Sequence, residues 1–94
     1  MTLILKVDDA DPEMTLDRLP VDEPARVVAV DARDPVMLRL MEMGLVPGAP
    51  VTVRKIAPFG GPMELQVRGY LLSIRRNEAK KLTVAVEPKL ERAR

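Results

Sequence analysis

The chain has no histidine, cysteine or tryptophan, and its only aromatic side chains are one phenylalanine and one tyrosine. Without cysteine or histidine there is no disulfide framework, no thiolate or imidazole zinc site, no cysteine nucleophile and no serine–histidine–aspartate triad. Ser73 is the single serine, and Glu42 and Glu64 stand alone, with no spacing that pairs them for acid–base work. No catalytic residue is assigned, and an enzyme is not expected. Long apolar runs are also missing. The longest is a handful of residues, against the roughly 20 that a spanning helix needs. The opening Met1–Val7 is too short for a signal peptide, and Asp8, Asp9 and Asp11 follow at once. The expectation is a chain that does not insert into a membrane and has a cytoplasmic address.

What remains is a small, charged, foldable sequence. Of its 94 residues, 47% are hydrophobic and 31% charged, enough apolar material for one core and too much for a disordered chain. The formal net charge is +1, but it is unevenly spread. Residues 1–34 carry nine acids and four bases, and residues 35–94 carry eleven bases and five acids. A fold that keeps these parts separate has a dipolar surface able to steer a partner.

The chain divides into a lead at residues 1–13, a core at 14–87 and a charged tail at 88–94, expected to be flexible. The lead holds Leu3-Ile4-Leu5, a candidate extra strand. Thr15–Pro20 reads as one helical or 3₁₀ turn with Leu16 and Leu19 on one side. Arg26–Val30 is β-branched enough for a strand. One helix is clearly marked: Asp34 suits the N-cap, Pro35 the first helical position, Met37, Leu40 and Met41 one face, and Gly44 the left-handed position beyond the end. Strands follow at Val51–Ile56, Met63–Arg68, Tyr70–Arg75 and Leu82–Val86, facing Val51, Val53, Leu72, Ile74, Leu82, Val84 and Val86 inward. The break in alternation at Ile56 suggests a bulge there. Gly60 and Gly61 should supply the positive φ of a hairpin tip, Gly69 a tight turn, and Asn77 the cap of a short turn. Tyr70 should pack its ring and leave its hydroxyl at the surface. About five short strands, one inserted helix and short helical turns give a mainly β fold, a closed or nearly closed small barrel.

Candidate chemistry is thin. Gly60-Gly61 is not followed by Gly-Lys-Ser/Thr, and Pro62 removes an N–H, so it is a poor phosphate loop. Asp8, Asp9, Asp11 and Glu13 lack the offsets of a calcium loop and read as a solvated face. Met37, Met41 and Met43 are the soft donors available to a metal, but they fit core filling or a compliant surface better. Arg68, Arg75, Arg76, Lys80 and Lys81 form the densest basic group. Nucleic acid is an alternative partner for such a patch, disfavoured by the scarcity of aromatics and by the low net charge.

The order of motifs is more telling than any one of them. Leu16-x-x-Leu19 and Glu23-x-Ala25-Arg26-Val27 precede Leu40-Met41-Glu42-Met43-Gly44-Leu45-Val46-Pro47-Gly48. Ala57-Pro58-Phe59-Gly60-Gly61-Pro62, Val67-Arg68-Gly69-Tyr70-Leu71-Leu72-Ser73-Ile74-Arg75 and Glu78-Ala79-Lys80-Lys81-Leu82-Thr83-Val84 follow. Over residues 14–87 this resembles the FeoA family, ferrous iron transport protein A and its core-domain relatives.

The resemblance implies an SH3-like barrel with an inserted helix. It also implies an accessory or regulatory protein of ferrous iron transport, acting on the membrane transporter FeoB, whose cytoplasmic part is a GTP-binding domain. Weak direct sensing of a transition metal such as Fe²⁺ is a further alternative, with no cofactor expected and the association of copies left open. The structural positions of the pattern are Leu40, anchoring the helix, Gly44 and Gly48, setting turns on either side of Leu45, and Gly69, joining two strands where the backbone passes close to a neighbour. Partner contacts are expected at Leu38 and Met41 on the helix, Phe59 and Gly60 at the tip, and Arg75 and Arg76. The sequence departs from the family where glycine is usual at Asp22, aspartate at Gly61, and leucine at Met41 and Met43.

Overall fold

The computed structural model describes residues 13–87. Its elements are β1 (Glu13–Thr15), a 3₁₀ turn (Leu16–Arg18), β2 (Ala25–Val30), α1 (Pro35–Glu42), β3 (Pro50–Ile56), β4 (Met63–Val67), β5 (Tyr70–Ile74), α2 (Arg76–Ala79) and β6 (Leu82–Val86). The strands form one antiparallel sheet in the order β1-β6-β2-β3-β4-β5. Among the described residues there are thus six strands rather than about five. The addition is β1, which pairs Glu13 with Ala85 and Thr15 with Thr83. Thr15 is therefore a strand residue, and the 3₁₀ turn begins one residue later with Leu16 buried. Leu3-Ile4-Leu5 and the tail at 88–94 lie outside the described residues.

Alternation decides which side chains enter the core. Met63, Leu65 and Val67 of β4 are buried while Glu64 and Gln66 between them are not. Val51 and Val53 of β3, Leu72 and Ile74 of β5, and Leu82 and Val84 of β6 repeat the pattern, and Val86 packs against the same core half-buried. Leu16, Leu19, Met37, Leu40 and Leu45 cap this layer from the connections. Each fully buried Leu or Val contributes about 1.5–3 kcal/mol over its exposed state. No charged or polar residue is buried among the described residues, so hydrophobic packing carries the core by itself.

Two bulges bend the sheet. One, unforeseen, falls between Val27 and Ala29 against β6. The other lies between Val53 and Lys55 against β4, ahead of Ile56, where the alternation had suggested it. Extra residues of this kind increase local twist and help a small sheet wrap around its core.

The turns correct several expectations. At the β3–β4 tip the positive φ falls on Phe59 (59°) and Gly60 (75°), not on Gly61. Gly61 is needed for space: an added Cβ would lie 2.7 Å from the Cβ of Ala57. In the β4–β5 turn Arg68 takes the positive φ (45°), and Gly69 has no neighbour within 4 Å of where a Cβ would be, so no close backbone approach occurs there. The short helix α2 is capped at Arg75, whose N–H donates to Glu78 Oε1 at 2.8 Å, and Asn77 lies inside the turn. A reaching Glu side chain three residues in satisfies an orphan donor as well as an Asn cap does.

Candidate functional site

The helix that borders the site is built as the sequence indicates. Val36 N–H donates to Asp34 Oδ1 at 2.9 Å, and Pro35 fills the first helical position. At the other end, Leu45 N–H reaches the Leu40 carbonyl (3.1 Å) and Gly44 N–H the Met41 carbonyl (3.0 Å), with Gly44 at φ 111°. This double bond pattern closes the helix and returns Leu45, fully buried, onto the core. Gly44 has a second constraint. A Cβ there would stand 3.0 Å from Tyr70 Oη and 3.3 Å from Val67 Cγ1. The Tyr70 hydroxyl therefore lies against the helix end and is not simply left to solvent.

Between α1 and the β5–α2 segment runs a groove of about 910 Å³. Val36 and Leu40 line it from α1, Met43 from the C-cap of α1, Leu72 and Ile74 from β5, and Pro62 from the hairpin tip. Its charged lining is one-sided. Arg39, Arg75, Arg76 and Lys80 face a single acid, Glu78, which is engaged by the Arg75 N–H. Among the described residues no carboxylate forms an ion pair with any of the four bases. Arg76 Nε is buried there without a hydrogen-bond partner.

An ion pair bridges the two walls. Lys81 Nζ, just beyond α2, donates to Asp34 Oδ2 at 2.8 Å. That bond, with the Val36 N–H, holds the Asp34 carboxyl below the usual carboxylate range, and Asp34 raises Lys81 in turn. Away from the groove, the Arg33 side chain lowers Asp31 through a local pair.

The expected contact residues divide. Gly60, Arg75 and Arg76 line the groove. Phe59 stands beside Gly60 at the tip, fully exposed, outside the lining. Leu38 is exposed and Met41 half-buried on parts of α1 that do not face the groove. Leu40 is buried in the core from α1, and Gly48 turns the chain at φ 92°. The basic group also separates, since Lys81 is paired and Arg68 sits in the β4–β5 turn. Arg39, Val36 and Met43 were missed as site residues. The signal was the spacing of Val36, Leu40 and Met43, a second apolar stripe on a helix whose first stripe faces the core.

Among the described residues the candidate metal donors do not gather. Met37 is buried in the core while Met43 is exposed, and Glu13 lies in β1. Asp8, Asp9 and Asp11 lie outside the described residues. Among the described residues no three acidic side chains come together as a cation site, and no helix is long and apolar enough to cross a membrane.

Residues 14–86 match the model of the FeoA domain. The chain belongs to the FeoA domain family. FeoA domains are small accessory modules rather than enzymes. The chain is similar to the FeoA protein of Chlorobium tepidum, at 44% identity and a TM-score of 0.72 over 78% of this chain and 70% of that one. It is similar to a zinc-complexed FeoA of Stenotrophomonas maltophilia, described as a prokaryotic SH3 domain protein. That match has 36% identity and a TM-score of 0.67, over 76% of this chain and 88% of that one. The SH3-like fold expected from the resemblance is thereby established. A third relative is an Fe(2+) transport protein A/Fe(2+) transporter FeoB fusion protein of Porphyromonas gingivalis, 35% identical over 71 residues. That match takes in 76% of this FeoA chain, which spans 8% of the fusion protein's length.

Proposed function

We propose that this FeoA-family chain is a cytoplasmic accessory protein of ferrous iron transport that acts by binding the cytoplasmic region of the membrane transporter FeoB. The observation that carries the reading is the Porphyromonas gingivalis relative, in which the two proteins are one polypeptide. Fusion fixes two modules at high effective concentration, which serves modules that work in contact. In this reading iron is the transporter's cargo, and no metal site is assigned to the chain.

Two features of the surface support contact with a protein. Phe59 holds a left-handed backbone at φ 59° with its ring fully in solvent, a strained and unrewarded placement for a bulky aromatic. Burial in an interface would reward it. Leu38, Met41, Gly60, Arg75 and Arg76 extend the contact from the tip to the helix and the groove, with apolar groups supplying affinity and arginines steering. The test is an anaerobic calorimetric titration against the isolated cytoplasmic region of the same organism's ferrous iron transporter, with GDP and then a non-hydrolysable GTP analogue. Saturable binding in at least one nucleotide state is expected. An empty titration in every state would sink the reading.

A further inference from the structure

The sheet ends at β5, and among the described residues no strand pairs with its outer side. In an antiparallel ladder every second residue turns its N–H and C=O away from its partner. Along β5 the turn closed by Val67 and Tyr70 leaves the main-chain groups of Leu71 and Ser73 facing outward, and Ser73 lies in the groove lining between Leu72 and Ile74. An open strand edge, an apolar floor and a basic rim therefore share one place. Its size is within the range of about 300–1,000 Å³ typical of ligand clefts.

We propose that this groove receives an extended, acidic segment of a partner protein, which adds as a strand to β5 and sets a carboxylate on Arg76. Strand addition draws affinity from main-chain hydrogen bonds and specificity from alternate side chains. One face of the segment meets Val36, Leu40 and Met43, and the carboxylates meet Arg39, Arg75, Arg76 and Lys80. Arg76 lines the groove with no carboxylate partner among the described residues, so a carboxylate of the segment can meet its guanidinium there. A lysine-rich segment is excluded by the rim. A nucleic-acid strand finds the positive charge but no aromatic platform, because neither Phe59 nor Tyr70 lines the groove. The inference rests on the protein-contact reading above for its partner class, but not on the partner being the transporter.

The test uses the whole chain labelled with ¹⁵N and three probes: a ten-residue peptide alternating valine with glutamate, one alternating valine with lysine, and a ten-nucleotide thymidine strand. The glutamate peptide is expected to shift the amide resonances of residues 71–76 and to bind at least tenfold more tightly than the lysine peptide. Replacing one of its valines by proline should weaken it. Arg76→Gln is expected to reduce its affinity at least fivefold. Arg39→Gln and Lys80→Gln, both at exposed positions, should each reduce it in chains whose spectra stay native. Equal binding of the two peptides, shifts confined to other elements, or tighter binding of the nucleotide strand would overturn the proposal. So would concentration-dependent shifts of the same amides without peptide, which assign the edge to a second copy. The transporter's cytoplasmic region is titrated in parallel. If it binds and Arg76→Gln leaves that binding unchanged, the groove proposal falls and the transporter reading stands. If it does not bind while the glutamate peptide does, the reverse holds.

Discussion

Among the described residues, three non-glycine residues hold positive φ: Asp22 (66°), Phe59 (59°) and Arg68 (45°). Each costs roughly 1–2 kcal/mol relative to an ordinary backbone. Asp22 occupies a position where the family usually has glycine, and the angle explains that usage. Its N–H donates to the Val53 carbonyl at 2.7 Å, and its carboxylate pairs with Arg54 at 3.1 Å. Phe59→Gly is expected to stabilise the fold by up to about 1 kcal/mol, strain relief less the entropy of glycine, in urea unfolding. The same variant should weaken transporter binding about tenfold or more. Loss of stability together with unchanged binding would remove Phe59 from the interface. Gly44 makes the opposite case. Gly44→Ala should cost about 1–3 kcal/mol, since both its φ and the approach of Tyr70 Oη resist a Cβ. Adding Tyr70→Phe should recover the part due to the hydroxyl and leave the part due to φ, which a double-mutant cycle separates. The positions of the glycines were legible from the sequence, but their individual reasons were not. Whether a residue turns by φ or yields space depends on neighbours such as Ala57 and Tyr70, distant in the chain or hidden in the turn.

Among the elements, α1 was read nearly complete because its signals are local. Cap, first-turn proline, stripe and closing glycine all fall within Asp34–Gly44. β1 went unread because its partner, β6, is at the other end of the chain and three residues carry no periodicity. The short turn expected after Asn77 begins two residues earlier, as α2, because Glu78 reaching back to the Arg75 N–H moves the cap from Asn77 to Arg75. The Asp34–Lys81 pair ties the N-cap of α1 to the second residue after α2 and gives the fold a pH dependence of known sign. Asp34 is lowered in the folded chain, so its contribution is present above the ordinary carboxylate pKa and is lost as pH falls through the lower folded value. Lys81 is raised, so its contribution is present below the ordinary lysine pKa and is lost as pH rises through the higher folded value. Thermal melts from pH 2 to 12 should show that Lys81→Met flattens both limbs relative to the parent chain. Both sites are solvated, so the effect is small and should shrink further in high salt.

At the scale of the molecule, the core is one apolar cluster closed from above by the connections. Leu45 ties the end of α1 to it with no exposed surface. Leu45→Ala is expected to cost about 2–5 kcal/mol, a large share of the stability of a domain this size, by denaturant unfolding. The core-facing residues could be listed from alternation alone. The groove could not, because its lining is drawn from α1, the hairpin tip, β5 and α2, and only the sheet order brings them to one edge. Gly60, Arg75 and Arg76 reached it from the motif pattern. Leu38 and Met41 did not, because β5 and the hairpin tip decide which side of α1 borders the groove.

The sheet order also governs when the chain can fold. β6 lies between β1 and β2, pairing Val84 with both Met14 and Val27. During synthesis β1 and one edge of β2 must therefore wait, open, while everything up to Val86 is made. A nascent chain stalled before Leu82 has its hairpins but not its barrel, and its exposed strands are the ones a chaperone or a protease would meet first.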